Sequence, residues 1–284
     1  LRQLLNAIVS RYEKNSAKDD WEWIDYAMAK RPDPSSADFP KDFNLYDQIK
    51  NLNLDSYAMS AMAKKIMLLT AMGYNASDLD QYRVDNQPFV LSTGKEVSNL
   101  VAELYSYDGS WTINHLTYAL IALDMGNYTV PEDANWTREK LLETILDHKY
   151  GSDNYAIDMV GGIMYAIGPY QDDPVYGERV RAKMQEGLSI ILGEQTAKSC
   201  DPMTDDYMFY CFGALNSESA SWVNMGLCSM GIDWHTDPRF SDGEKSALSQ
   251  WLQFATKDGF KHILSETQNN ALATYEACYN LEWY

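Results

Sequence analysis

The sequence predicts an all-α chain, an (α/α)6 toroid in which six inner and six outer helices close one barrel as a single domain over residues 1–284. Three observations predict it. Apolar, small-residue helical runs end repeatedly on the same kind of stop: Ala71-Met72-Gly73-Tyr74, Asp124-Met125-Gly126-Asn127, Ala166-Ile167-Gly168-Pro169 and Ser229-Met230-Gly231-Ile232, with a degenerate Lys30-Arg31-Pro32 near the start. Each such run follows a charged, one-sided helical pattern. No alternation of the kind a strand requires persists beyond a few residues.

The elements follow in order. The first outer helix begins near residue 2, on Leu1-Arg2-Gln3-Leu4-Leu5, a helical opening that shows no leader-like segment, and its inner partner near 20. The second pair begins near 41 and 55. Residues 75–94 read as an irregular excursion before the third pair, near 95 and 115. From His115 to Met125 the run is apolar all round: Leu116, Ala119, Leu120 and Leu123 make one stripe, while Ile121, Ala122 and Met125 fill the other sides. A helix of that kind must be enclosed, and Gly126 is expected to supply its left-handed stop.

Thr137–His148 instead places Leu141, Leu142, Ile145 and Leu146 opposite Arg138, Glu139, Lys140, Glu143 and Asp147, so it reads as an outer helix with one buried stripe. The contrast recurs. Outer runs begin near 176, with Val180, Met184, Leu188 and Ile191 on one stripe, and near 244, with Leu248, Trp251, Leu252 and Ala255. Their inner counterparts begin near 158, 218 and 271. Turn-rich connections such as Asp172-Asp173-Pro174 and Ser241-Asp242-Gly243 separate them.

A net charge of −18 and a pI near 4.5 exclude nucleic acid as a partner, because phosphate binding needs clustered Lys and Arg. They fit an anionic membrane surface equally poorly, and no apolar run reaches the roughly 20 residues of a membrane span. The cysteines at 200, 211, 228 and 278 form no C-x-x-C pair, which argues against a zinc ribbon or redox motif. Cys228 and Cys278 read as buried thiols in helix runs. Cys200 and Cys211 flank a turn-rich loop, and whether they are bridged stays open.

Inner-helix N-termini should converge at one mouth, where unpaired N–H groups and partial positive charge collect polar ligands. The candidate binding residues there are Trp21, Asp55, Tyr57, His115, Asp158, Glu218, Trp222, Tyr275 and Glu276, beside Asp20 and Trp23. A carboxylate- and aromatic-lined pocket suits a neutral, planar or polar ligand. The plainer account of Asp20, Asp55, Asp158 and Glu218 is that first-turn acids complement the helix dipole. Paired carboxylates also serve glycoside hydrolysis, which keeps a carbohydrate-active (α/α)6 enzyme as a distant alternative. The histidines 115, 148, 235 and 262 are scattered without metal-ligand spacing, His262 lying in the loop ahead of the last inner helix, and no nucleophile elbow is present. Asn75, Asn127 and Asn135 match N-x-S/T.

Several strings carry a resemblance: Trp21 in its Asp-Trp opening, Leu120-Ile121-Ala122-Leu123-Asp124-Met125-Gly126-Asn127-Tyr128 with Pro131, Thr137-Arg138-Glu139-Lys140-Leu141, and Asn216-Ser217-Glu218-Ser219-Ala220-Ser221 followed by Met230-Gly231-Ile232-Asp233 and Thr236-Asp237-Pro238-Arg239-Phe240. They resemble the prenyltransferase/terpenoid-cyclase-like α/α toroid domain of bacterial secreted or cell-surface proteins, itself similar to the α-domain of intrinsic factor and transcobalamin. The resemblance covers nearly the whole chain and is strongest over 115–142 and 213–262. It implies a secreted or cell-surface domain of a longer protein. It implies a non-catalytic function, binding a small molecule such as a cobalamin-like ligand or an adjacent β-rich domain of the same protein. The runner-up it implies is a cyclase- or transferase-like enzyme with altered catalytic residues. Zinc is not expected: Asn216, Glu218 and Glu276 occupy the positions where the transferases carry their metal ligands, and that set is poor for zinc. The cyclase acid motif is incomplete at Asp78-Leu79-Asp80 and at Thr204-Asp205-Asp206.

Overall fold

The computed structural model describes residues 1–52, 58–109, 111–152, 156–211 and 213–283. Among them the chain is helix-rich with little strand, as the all-α reading requires. The helices are α1 (Arg2–Lys14), α2 (Asp20–Lys30), α3 (Leu45–Lys50), α4 (Ala58–Ala71), α5 (Leu100–Tyr105), α6 (Ile113–Met125), α7 (Arg138–Asp147), α8 (Ala156–Ile167), α9 (Gly177–Ile191), α10 (Ser217–Ser229), α11 (Ala247–Trp251) and α12 (Ala271–Leu281). Two hairpins of two-residue strands interrupt them, β1 (Phe89–Val90) with β2 (Glu96–Val97) and β3 (Tyr210–Cys211) with β4 (Ala214–Leu215).

The helices begin within about five residues of the starts read from periodicity, the start near 55 lying outside the described residues; the outer run expected from 244 to 256 is only the short α11 and a 3-10 turn, while α8 and α9 differ in burial as expected. In α8, Ile157, Val160, Ile163, Met164 and Ile167 on one face and Met159, Gly162 and Ala166 on the opposite one are all buried. In α9 the buried Val180, Met184, Leu188 and Ile191 alternate with exposed Arg179, Arg181 and Gln185. Each fully buried Ile, Leu or Met contributes about 1.5–3 kcal/mol, so the all-apolar helices carry most of the hydrophobic drive. Leu120 and Val223 are both sealed from solvent.

The chain divides into two compact units, unit 1 comprising Leu1–Arg11 and Leu146–Tyr284, unit 2 comprising Tyr12–Ile145. In unit 2, α4 packs against both α2 and α6, with α5 also on α4. In unit 1, α10 packs against both α8 and α12, with α9 on α8. Within each unit, therefore, the helices expected to be inner are consecutive neighbours. The α8–α10 contact is backbone to backbone: a Cβ on Gly161 would lie 2.3 Å from the Trp222 carbonyl oxygen, and one on Gly226 would lie 2.8 Å from the Gly161 carbonyl oxygen. A buried Asn224 Nδ2 donates to Asn280 Oδ1 at 2.7 Å, tying α10 to α12.

The helix stops are less uniform than the sequence suggested. Gly73 and Gly231 do adopt positive φ, 84° and 70°. Gly126 does not: its φ is −98°, and the left-handed residue is Asn127, at 47°. Gly126 is required for a different reason, since a Cβ there would lie 2.2 Å from the ring of Tyr128. Gly168 does not stop its helix in a left-handed turn either. It leads α8 into a 3-10 turn, Gly168–Tyr170, and packs where a Cβ would meet Ser229 at 2.7 Å. Residues 75–94 are largely irregular, with one 3-10 turn at Asp80–Tyr82 and β1 near their end. All four cysteines are free, Cys228 being partly exposed rather than buried.

Candidate functional site

The acids of the proposed mouth divide by unit. In unit 1 the first turns of α8 and α10 bring Asp158 and Glu218 close enough for the Glu218 charge to act on the Asp158 carboxyl. Asn216 caps α10, its side chain accepting from Ser219 N at 2.8 Å. That cap fixes the order Ser217-Glu218-Ser219 across the helix end. Ser217 anchors the loop ahead of α12: its N–H donates to the His262 carbonyl and its hydroxyl to the Lys261 carbonyl, at 3.2 and 2.8 Å. The loop in turn carries the His262 ring to Glu218, with Nδ1 2.8 Å from Oε1. A second carboxylate, Glu266, accepts from the His262 backbone N–H at 2.7 Å.

Asp158 sits differently. As a residue it is partly exposed, but its Oδ1 is sealed from solvent. Cys211, at the end of β3, donates its thiol to Oδ2 across 3.7 Å. The Ser219 hydroxyl is near enough to act on this carboxyl. Even so, neither Ser219 Oγ nor Asp158 Oδ1 makes a hydrogen bond of normal geometry among the described residues, so the Ser219 hydroxyl acts on the carboxyl only as a poorly aligned neighbour. A buried polar atom left in that state costs about 1–3 kcal/mol, so two side by side mark this helix end as specialised. Ala156 adds strain: it opens α8 at φ 53°, a left-handed conformation that costs an alanine about 1–2 kcal/mol.

Burial dominates the ionisation of the cluster. Burial, with Glu218 nearby adding to it, pushes the Asp158 carboxyl up to about 6 against the opposing pull of Ser219 and Cys211. Burial also raises Glu218, opposed by the hydrogen bonds from His262, the helix backbone and Ser217. The Cys211 thiol is pushed to about 12 by burial and by the Asp158 charge, so at neutral pH it is a protonated donor and not a nucleophile. The result is an acid that can hold or release a proton near neutrality, beside a carboxylate oriented by an imidazole.

Of the other predicted site residues in unit 1, Trp222 lies one turn further into α10 and is nearly buried, and Tyr275 and Glu276 are half-buried in the second turn of α12. In unit 2, Trp21 packs near Tyr118, ring centroids 6.0 Å apart, under the Lys64 ammonium. His115 serves a structural role, its Nδ1 accepting from the Thr112 N–H in a capping box, and burial lowers its pKa. Asp20 is paired with the buried Lys65 at 2.6 Å. Asp55 and Tyr57 fall outside the described residues. The cluster's remaining members, Cys211, Ser217, Ser219 and His262, were not among the predicted binding residues. Only His262 had a signal, its place in the loop before the last inner helix. Among the described residues no group of three or more His, Cys, Asp and Glu is arranged to hold a metal ion.

No protein-family model, curated protein or solved structure matches this chain. The site must be interpreted from its own chemistry.

Proposed function

We propose that this chain is a non-catalytic, extracytoplasmic ligand-binding domain on an (α/α)6 toroid scaffold, part of a longer secreted or cell-surface bacterial protein. Its ligand is a cobalamin-like small molecule held between this domain and a β-rich neighbour. The observation that carries the binding reading is the pair of Asp158 Oδ1 and Ser219 Oγ, which make no hydrogen bond of normal geometry among the described residues, beside a Glu218 carboxylate already oriented by His262. A site with unmet hydrogen-bonding capacity and fixed neighbours is preorganised for a polar ligand. The scaffold and compartment rest on the resemblance of residues 115–142 and 213–262 and on the six-fold helix alternation.

One observation favours a second reading, an enzyme with altered acid chemistry. Asp158 and Glu218 are both raised by burial, which is how a general acid is kept protonated near neutral pH. Calorimetry with cyanocobalamin, beside an assay for consumption of farnesyl diphosphate, separates the two. Binding readings require a wild-type isotherm that weakens at least about tenfold in Glu218→Gln with the melting temperature kept. Turnover of the diphosphate abolished by Asp158→Asn would replace the binding reading with the enzymatic one. An isotherm indifferent to Glu218 would remove the site.

A further inference from the structure

Unit 2 contains a second place built for a ligand, independent of the cluster above. Where α4 and α6 end, the turns that follow them enclose a groove of about 440 Å³. In a chain of net charge −18, none of the described residues lining this groove is charged. Its walls are the rings of Tyr74, Tyr82 and Tyr128, and its rim carries Asn75, Asn127 and Thr129.

The tyrosines are fixed by the protein around them. Tyr128 spans the two helix ends, its hydroxyl 2.7 Å from Thr70 Oγ1 and accepting from Ala76 N at 3.1 Å. Tyr82 accepts from Asn75 N at 2.9 Å, and its ring meets Tyr74 edge-on at 4.9 Å. Tyr74 is backed by Phe39 and Phe43. Arg138 holds the turn from behind, donating to the carbonyls of Leu123 and Tyr128 and to Asp124. Two tyrosine hydroxyls are thus spent on the protein; the Tyr128 ring is buried, and the ring surface left for a ligand is that of the half-buried Tyr74 and Tyr82. On the rim, Asn75 spends its Oδ1 on the N–H and hydroxyl of Ser77, but the other two groups are the reverse. The Asn127 amide and the Thr129 hydroxyl are exposed and make no hydrogen bond among the described residues.

Fixed aromatic faces combined with unspent amide and hydroxyl groups, and no charge, match one ligand chemistry. Neutral carbohydrates present apolar C–H faces and a perimeter of hydroxyls that both donate and accept. Rigid rings supply contact area at low entropic cost, and amides supply bidentate polar contacts. An anionic ligand would find no cation in the lining, and the acidic chain would repel it. We propose that the groove at the ends of α4 and α6 is a binding site for neutral glycans.

The test is a glycan array carrying neutral, sialylated and sulfated oligosaccharides, probed with the full chain biotinylated and tetramerised on streptavidin so that weak single-site binding registers through avidity. The best neutral hit is then titrated by calorimetry. Asn127→Gly with Thr129→Ala removes the two unspent rim groups while the glycine keeps the left-handed backbone. Glu218→Gln leaves this groove intact and serves as the control for the other site. The expected result is retention of neutral glycans only, at least about tenfold weaker binding by the double variant at unchanged melting temperature, and no effect of Glu218→Gln. An array with no neutral hit, a preference for acidic glycans, or binding that survives the double variant would overturn the proposal. Loss in Glu218→Gln alone would return the sugar to the unit 1 cluster and also overturn it.

Discussion

The inner helices of the two units are built from one pattern and packed in two ways. In unit 1, α8 and α10 meet through Gly161 and Gly226 with their backbones in contact, and the chemistry collects at their N-terminal ends as buried acids. In unit 2, α4 and α6 contain no glycine and are filled with buried Met, Leu and Ile, and the candidate site lies at their C-terminal ends with no charged residue in its described lining. The difference follows from helix physics. Helix N-termini stabilise carboxylates, so buried acids are tolerated there at a reduced cost. The C-terminal ends present carbonyls, which suit Asn, Tyr and Arg donors and disfavour acids. The two proposed sites would therefore differ in chemistry according to which helix end carries them.

The largest expected effect breaks the close packing. In Gly161→Ala the new methyl would stand 2.3 Å from the Trp222 carbonyl oxygen, 2.4 Å from its carbon and 2.6 Å from Val223 N, all backbone atoms that cannot turn aside. The helices must separate, at a cost of about 3 kcal/mol or more. The opposite change in unit 2, Ala119→Gly in the fully buried face of α6, adds backbone freedom and removes one methyl, costing about 1–2 kcal/mol. Urea midpoints followed by circular dichroism rank the two. Equal losses would mean that the backbone contact has no special weight.

The next effect is electrostatic and changes with pH. The folded Asp158 carboxyl, raised to about 6, binds its proton more tightly than the unfolded chain does. Its contribution is fully present at acid pH and is lost as the pH rises from the unfolded value, about 4, through the folded one, about 6. A difference of that size between the folded and unfolded chains is worth at most about 3 kcal/mol. Asp158→Asn removes that penalty, so its melting temperature should exceed wild type at pH 7.5, and the advantage should shrink to about a third at pH 4.5 and vanish below about pH 3. A constant difference at both pH values would show that the carboxyl is not desolvated in the folded chain.

The helices were legible in the sequence because their signals are local. Leu116, Ala119, Leu120 and Leu123 with Ile121 declare a buried helix within one short window, and Asn216 before Ser217-Glu218-Ser219 declares a capped start. The unit 1 cluster was legible only in part. Asp158 and Glu218 could be placed at helix starts, but their partners lie far along the chain, His262 44 residues from Glu218 and Cys211 53 from Asp158. No period or spacing encodes such a pairing. The groove in unit 2 was hidden for another reason: Tyr74, Tyr82 and Tyr128 sit in the segments between helices, where periodicity is silent.

The smallest effect tests the turn on which that groove depends. Met125-Gly126-Asn127 has the look of a glycine stop, yet the left-handed residue is Asn127, at φ 47°, while Gly126 yields room to the Tyr128 ring. Asparagine tolerates this conformation far better than alanine, whose Cβ crowds the following carbonyl. Asn127→Ala should therefore lower stability by about 1 kcal/mol, and Asn127→Gly should leave it within about 0.5 kcal/mol of wild type. A loss of about 1 kcal/mol moves the melting temperature of a chain this long by only about 2–4 °C, so paired scanning-calorimetry runs are needed. Should alanine match glycine, the strain would reside elsewhere in the turn. Should both destabilise alike, the amide itself would support the fold, and the double variant would no longer separate glycan binding from folding.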